Sequence, residues 1–211
     1  MGRDKSRLRL GRRSLLGHVL ATARRLGYKV RVIRRDLVPR CGPLGGIFTA
    51  LKTSSAETEL FLACDMPLVS TALLTKLIRN LGAGRKAVFA SAGGVPGFPF
   101  ILRASALPVV EEQIRRRHFS LRALAEALQA KPMPVPRRSA KELANINTPL
   151  DWQAAQGPRG RVSNRRASSR SGRARRQQLS LVGPGSRRGG SRGGSPRGIL
   201  QPESLPTRRP R

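Results

Sequence analysis

The sequence predicts an α/β domain with a mostly parallel sheet, and three observations carry that class. Apolar spacing along residues 1–157 switches repeatedly between helical and strand periods. The run Leu60-Phe61-Leu62-Ala63-Cys64 is apolar at every position, as a strand buried on both faces requires. Polar or glycine-rich clusters fall where strands end, at Asp36, Gly42–Gly46 and Asp65, which is where open α/β sheets place their ligands.

The elements follow in order. Ser14 to Leu26 carries Leu15, Leu16, Val19, Leu20, Ala23 and Leu26 on one helical face, and Gly27 is a stop signal. Tyr28 to Ile33 alternates and is β-branched, so it reads as a strand. Pro43 to Lys52 reads as a helix opening from a glycine-rich turn, and Leu60–Cys64 as a central strand. Thr71 to Leu81 is helical, with Leu73, Leu74, Leu77 and Ile78 on one stripe. Ala87–Ser91 and Phe100–Arg103 read as strands, and Ala104–Arg117 and Ser120–Ala130 as helices. Thr148-Pro149-Leu150-Asp151 has a cap, a proline at the first helical position and an acid in the first turn, so it starts a last helix. Alternation of this kind builds a sheet covered by helices.

Composition breaks near Gly157-Pro158. The whole chain has 211 residues and a formal net charge of +31, of which +14 falls in residues 158–211. Arg, Gly, Ser and Pro make up 39 of those 54 residues, and none is aromatic. Such a segment buries too little apolar surface to offset its ordering entropy, so residues 158–211 are expected to form a disordered basic tail beside a domain at 1–157. Its charge predicts nonspecific polyanion binding, without implying a nucleic-acid function. No stretch reaches the roughly 18 consecutive apolar residues of a membrane span. The charged N-terminus lacks a secretory pattern, and Cys41 and Cys64 form no CxxC pair, so a cytoplasmic location is expected.

Three clusters carry the chemistry. Asp36 follows the strand ending at Ile33. Gly42-Pro43-Leu44-Gly45-Gly46 runs into a helix N-terminus, whose N–H groups and dipole suit an anion. Asp65 leaves the buried strand in Cys64-Asp65-Met66-Pro67, well placed to hold Mg²⁺ beside a substrate phosphate. Each has a plain alternative as a cap or turn; together, in α/β order, they favour a phosphate-handling site.

These residues resemble a known family. Arg3-Asp4-Lys5, Gly42–Gly46, Cys64-Asp65-Met66-Pro67 and Asn145-Ile146-Asn147-Thr148-Pro149 occur in the order seen in molybdenum cofactor guanylyltransferases, the MobA-like nucleotidyltransferases. The resemblance implies a Rossmann-like three-layer α/β/α sandwich. It implies transfer of GMP from Mg·GTP to Mo-molybdopterin, with molybdoenzymes or their chaperones as further partners. Members open with a pattern like L-A-G-G-x-S-x-R-M-G-x-D-K. Its Lys, a phosphate contact, matches Lys5; nucleotide-binding positions match Asp36, Gly42, Pro43 and Leu44; the magnesium ligand matches Asp65; Asn147 matches an active-site Asn. Catalysis of this kind needs positioning and charge neutralisation, which Lys5 and Mg²⁺ on Asp65 would supply. His18 and His118 receive no catalytic role; Arg115–Arg117 is of the charge to meet an anionic pterin phosphate, but a charge run is more often a solvated face.

The sequence also departs from the family. It begins inside the glycine-rich pattern, with Met1 at the pattern's Met, so the first strand and its turn are expected to be missing and upstream DNA to encode them. One strand stands where members have two between the first helix and Asp36. A chain in this form is expected to have weak or no transferase activity. The alternatives are a transferase using CTP or a sugar phosphate, an inactive relative, and a basic nucleic-acid-binding protein.

Overall fold

The computed structural model describes residues 9–146, 151 and 177–182. A short hairpin, β1 (Arg9–Leu10) and β2 (Arg13–Ser14), leads into helix α1 (Leu15–Arg24). Ser14 caps that helix, its Oγ accepting from the Gly17 N–H at 3.0 Å. Then come β3 (Lys29–Ile33), α2 (Pro43–Lys52), β4 (Thr58–Ala63) and α3 (Thr71–Asn80). They are followed by β5 (Ala87–Ala92), β6 (Val95–Arg103), α4 (Leu107–Arg115), α5 (Leu121–Ala127), β7 (Lys131–Pro134) and β8 (Gln177–Val182).

Six strands form one sheet in the order β3-β8-β4-β6-β5-β7. Strands β3, β8 and β4 are mutually parallel; β6 is antiparallel to both β4 and β5, and β7 is parallel to β5. Five strands therefore point one way and β6 the other, which matches the expected mostly parallel sheet. The reversal comes from a tight hairpin. Gly93 and Gly94 both have positive φ, 57° and 83°, so two glycines suffice to turn β5 back into β6.

Helices cover both faces, which makes the expected three-layer sandwich. On one side Val19 and Ala23 of α1 and Leu73, Leu74 and Leu77 of α3 pack on Leu60, Leu62, Val88, Ala90 and Ile101. On the other, Leu44, Ile47 and Ala50 of α2, Val110 of α4 and Leu124 of α5 pack on Phe61, Phe89, Phe100 and Leu102. The three phenylalanines stack across neighbouring strands, with ring centroids 4.9 Å (Phe61–Phe100) and 4.6 Å (Phe89–Phe100) apart. Burial on both faces explains why β4 is apolar without alternation.

The expectation of a sheet lacking its central strand is corrected. Strand β8 fills that place, although it is the last of the described strands and arises from the stretch expected to lack a fold. Leu179 and Leu181 join the α1/α3 core at 0 and 1% exposure, and Ser180 between them is fully buried on the opposite face. Two leucines alternating around a serine suffice once strands flank them on both sides. The expected helix after Thr148 lies outside the described residues, apart from Asp151.

Candidate active site

Register fixes where the strands end. Ile33 of β3 and Ala63 of β4 both lie opposite Val182 of β8, so the three carboxyl ends are level. Asp36, the start of α2 and Asp65 all follow these ends, on one edge of the sheet. The structure thus gathers the described members of the predicted site; Lys5 and Asn147 lie outside the described residues.

Asp36 and the glycine-rich helix start touch directly. A Cβ built on Gly45 would lie 2.7 Å from Asp36 Oδ2 and 2.8 Å from the Val38 carbonyl oxygen. Glycine is needed there because the acidic loop lies against the helix backbone itself. Thr49 pins the loop from one turn further on. Its buried hydroxyl accepts from the Leu37 N–H (2.8 Å) and donates to the Gly45 carbonyl (2.7 Å). Burial raises the Asp36 carboxyl above the ordinary aspartate range. The Cys41 thiol is raised as well, by burial first and by the Asp36 charge second.

Helix α2 is preceded by its cap residue Gly42, whose φ of 55° and ψ of −138° belong to glycine's own territory. Pro43 takes the first turn, where its missing N–H costs nothing. The Leu44 side chain is fully buried in the core, and its N–H donates to the Cys41 carbonyl at 3.1 Å. Leu44 therefore acts on the site by fixing the helix start.

Asp65 is 5% exposed at the end of β4. Its carbonyl accepts from the Ile146 N–H at 2.9 Å, and the Ile146 side chain is buried. This bond brings the Asn145-Ile146 segment alongside Cys64-Asp65-Met66-Pro67, so two motifs eighty residues apart in sequence meet. Glu142 supports the same region, accepting from both the backbone N–H and the hydroxyl of Ser70 at the start of α3. Among the described residues no group of three His, Cys, Asp or Glu side chains could enclose a metal ion. A buried hard carboxylate at the carboxyl edge of the sheet is the donor type that suits Mg²⁺, which keeps its waters and binds through one or two carboxylates plus substrate oxygens.

Sequence reasoning missed two features of this edge. One is a groove of about 400 Å³ between the β5–β6 turn and α5, lined by Gly94, Val95, Arg122, Glu126 and Gln129 among others. None of the predicted site residues lines it. The other is β8 itself. Reading on from it, Leu181, Gly183, Ser186 and Arg188 stand at the spacing of the L, G, S and R in the L-A-G-G-x-S-x-R pattern. That signal was open to inspection in the tail and was hidden by its composition.

A sheet of this order, with a carboxylate and a glycine-rich helix start on its carboxyl edge, defines an α/β sandwich with a ligand edge of the doubly wound kind. The MobA-like NTP transferase domain matches residues 1–132. The chain belongs to that family. It is 30% identical to a probable molybdenum cofactor guanylyltransferase of Opitutus terrae, over 72% of this chain and 86% of the relative. It is 34% identical to a probable molybdenum cofactor guanylyltransferase of Flavobacterium johnsoniae, over 54% of this chain, and spans 60% of that relative's length. The fold is shared with molybdopterin-guanine dinucleotide biosynthesis protein A of Archaeoglobus fulgidus, at a TM-score of 0.61 and 23% identity, covering 74% of this chain and 90% of that one. Among the described residues no helix is long and apolar enough to cross a membrane.

Proposed function

We propose that this chain transfers GMP from GTP to the terminal phosphate of Mo-molybdopterin in the cytoplasm. An oxygen of the acceptor phosphate attacks the α-phosphorus of GTP. The bond from that phosphorus to the bridging oxygen breaks, and pyrophosphate leaves with the electron pair. The acceptor is already ionised, so the protein's task is to position the two phosphates and to neutralise charge. The observation that carries this reading is the level edge formed by β3, β8 and β4, which brings Asp36, the α2 start and Asp65 together.

On this reading Asp36 and the Gly42–Gly46 backbone hold the nucleoside end of GTP. Lys5 contacts the nucleotide phosphates, and Asn147 stands at the active site. Asp65 holds Mg²⁺, which when bound supplies positive charge to the triphosphate. The groove beside Val95 and Arg122 opens on the same edge, because β5 runs parallel to β4, and it offers room for the acceptor.

The test is calorimetric titration of GTP, with CTP as control, with and without Mg²⁺, on the parent and on Asp65→Asn, followed by turnover with Mo-molybdopterin. Mg²⁺-dependent GTP binding that Asp65→Asn abolishes supports the reading. Preference for CTP, or identical binding by the variant, refutes it.

A further inference from the structure

In the order of the sheet, β3 is joined to its neighbours through β8. Remove β8, and β3 loses its ladder while β4 loses the partner on one side. Two parallel strands would then face each other across a gap one strand wide, each presenting bare N–H and C=O groups. Such edges pair readily with any strand that fits.

The gap also has an address. On the α1/α3 side Leu60 and Leu62 lie level with Leu179 and Leu181 of β8 and share one core with them. On the α2 side Glu59, fully buried, divides its carboxylate. One oxygen accepts from the Ser180 hydroxyl at 2.5 Å, and the other faces the Arg31 guanidinium at 3.4 Å. Arg31 is itself held by the carbonyls of Ala50 (2.6 Å) and Thr53 (3.1 Å) near the end of α2. An acid at the central position of the incoming strand would meet a buried carboxylate, and a bulky residue would meet α2. The site therefore selects a short parallel strand with apolar third and fifth residues and a small hydroxyl between them.

The strand that meets this description lies far along the chain from the rest of the sheet. The other members of the sheet lie within residues 29–134, and β8 starts at Gln177. Residues 152–176, which connect Asp151 to β8, span up to about 80–90 Å when extended. That reach serves a neighbouring molecule as well as the chain's own sheet.

We propose that the gap between β3 and β4 is a strand-binding site and that residues 177–182 of a second copy of this chain occupy it. Two chains then exchange β8 reciprocally and close a two-fold dimer without any new interface chemistry. Each copy is both donor and acceptor, because the released strand and the emptied gap arise in the same event.

The experiment uses two full-length variants. Leu179→Asp/Leu181→Asp spoils the donor strand and keeps the gap; Leu62→Asp spoils the gap and keeps the donor. Amide exchange is followed at residues 29–33 and 58–63 in each variant and in an equimolar mixture in which one variant is isotopically labelled. Each alone is expected to exchange fast there. In the mixture the donor-deficient chain regains protection and the two sediment together. A mixture that exchanges as the sum of its parts overturns the proposal, and so does full protection in the donor-deficient chain alone.

Should either variant aggregate, a fluorescent peptide of residues 174–186 is titrated into the parent chain and followed by anisotropy. Binding is expected, weakened by about tenfold or more when the peptide carries Ser180→Asp, because its carboxylate would be buried beside Glu59. No binding, or equal binding by both peptides, overturns the proposal.

Discussion

Replacing Gly45 with alanine tests the contact at the centre of the candidate site. The new methyl would sit 2.7 Å from Asp36 Oδ2 and 2.8 Å from the Val38 carbonyl oxygen, both inside any ordinary carbon–oxygen contact. Two effects oppose each other. Alanine is the better helix former, worth up to about 1 kcal/mol over glycine. Overpacking a close contact costs about 1–3 kcal/mol, and the upper part of that range applies because one neighbour is backbone. The net expectation is a loss of about 1–2 kcal/mol, or roughly 2–8 °C in Tm for a domain of this size. Relief requires the 34–38 loop to move away from α2 and carry Asp36 with it. GTP affinity should therefore fall together with stability. Urea unfolding and calorimetric titration on the same preparations check both. Unchanged or raised stability would mean that helix propensity wins and that the contact is softer than the geometry states. Lost stability with intact GTP affinity would remove Asp36 from the nucleotide site.

Three further outcomes follow from the same structure. Asp36→Asn should stabilise the apoprotein at neutral pH: the raised pKa of Asp36 means that its contribution is present below the ordinary aspartate value and is lost as pH rises through the folded value. The gap between parent and variant should close in acid, and thermal melts across a pH series check it. Thr49→Val should cost about 0.5–1.5 kcal/mol, because the part-buried Leu37 N–H loses its acceptor; denaturant titration reads this directly. Leu179→Ala should cost about 2–5 kcal/mol, since this side chain is fully buried between α1/α3 and the sheet, and an effect near zero would remove β8 from the stable core.

The parts of the fold legible in the sequence were those decided locally. Helix α2 runs from Pro43 to Lys52, the bounds its glycine turn and apolar spacing predicted. Asp36 and Asp65 were legible because a polar residue after an apolar strand marks the carboxyl edge. Strand β7 was missed because Lys131-Pro132-Met133-Pro134 alternates two prolines, which suit only an edge, and β7 is indeed the last strand of its sheet. Strand β6 is longer than its apolar end, Phe100–Arg103, suggested, because Val95-Pro96-Gly97 owes its strand form to pairing with β5. The β1–β2 hairpin is two residues a side and leaves no periodicity to read. Strand β8 was lost in an average: six residues with two leucines, inside a segment dominated by Arg, Gly, Ser and Pro. The Arg31–Glu59–Ser180 cluster and the Ile146–Asp65 bond join positions far apart in the chain, so neither leaves a local trace.

The place of β8 also sets a clock on synthesis. More than a hundred residues separate the end of β4 from the start of β8. At about 5–20 residues per second, the nascent chain spends on the order of 6–20 s with β3 and β4 made and nothing between them. Helices α1 and α3 can form during that interval, yet the sheet they cover is still in two pieces. Folding of this domain is thus tied to the translation of residues 177–182. A ribosome that stalls or drops off before Val182 releases a product whose middle is open, with exposed strand edges that invite aggregation. For this chain, quality control reduces to whether residues 177–182 were made.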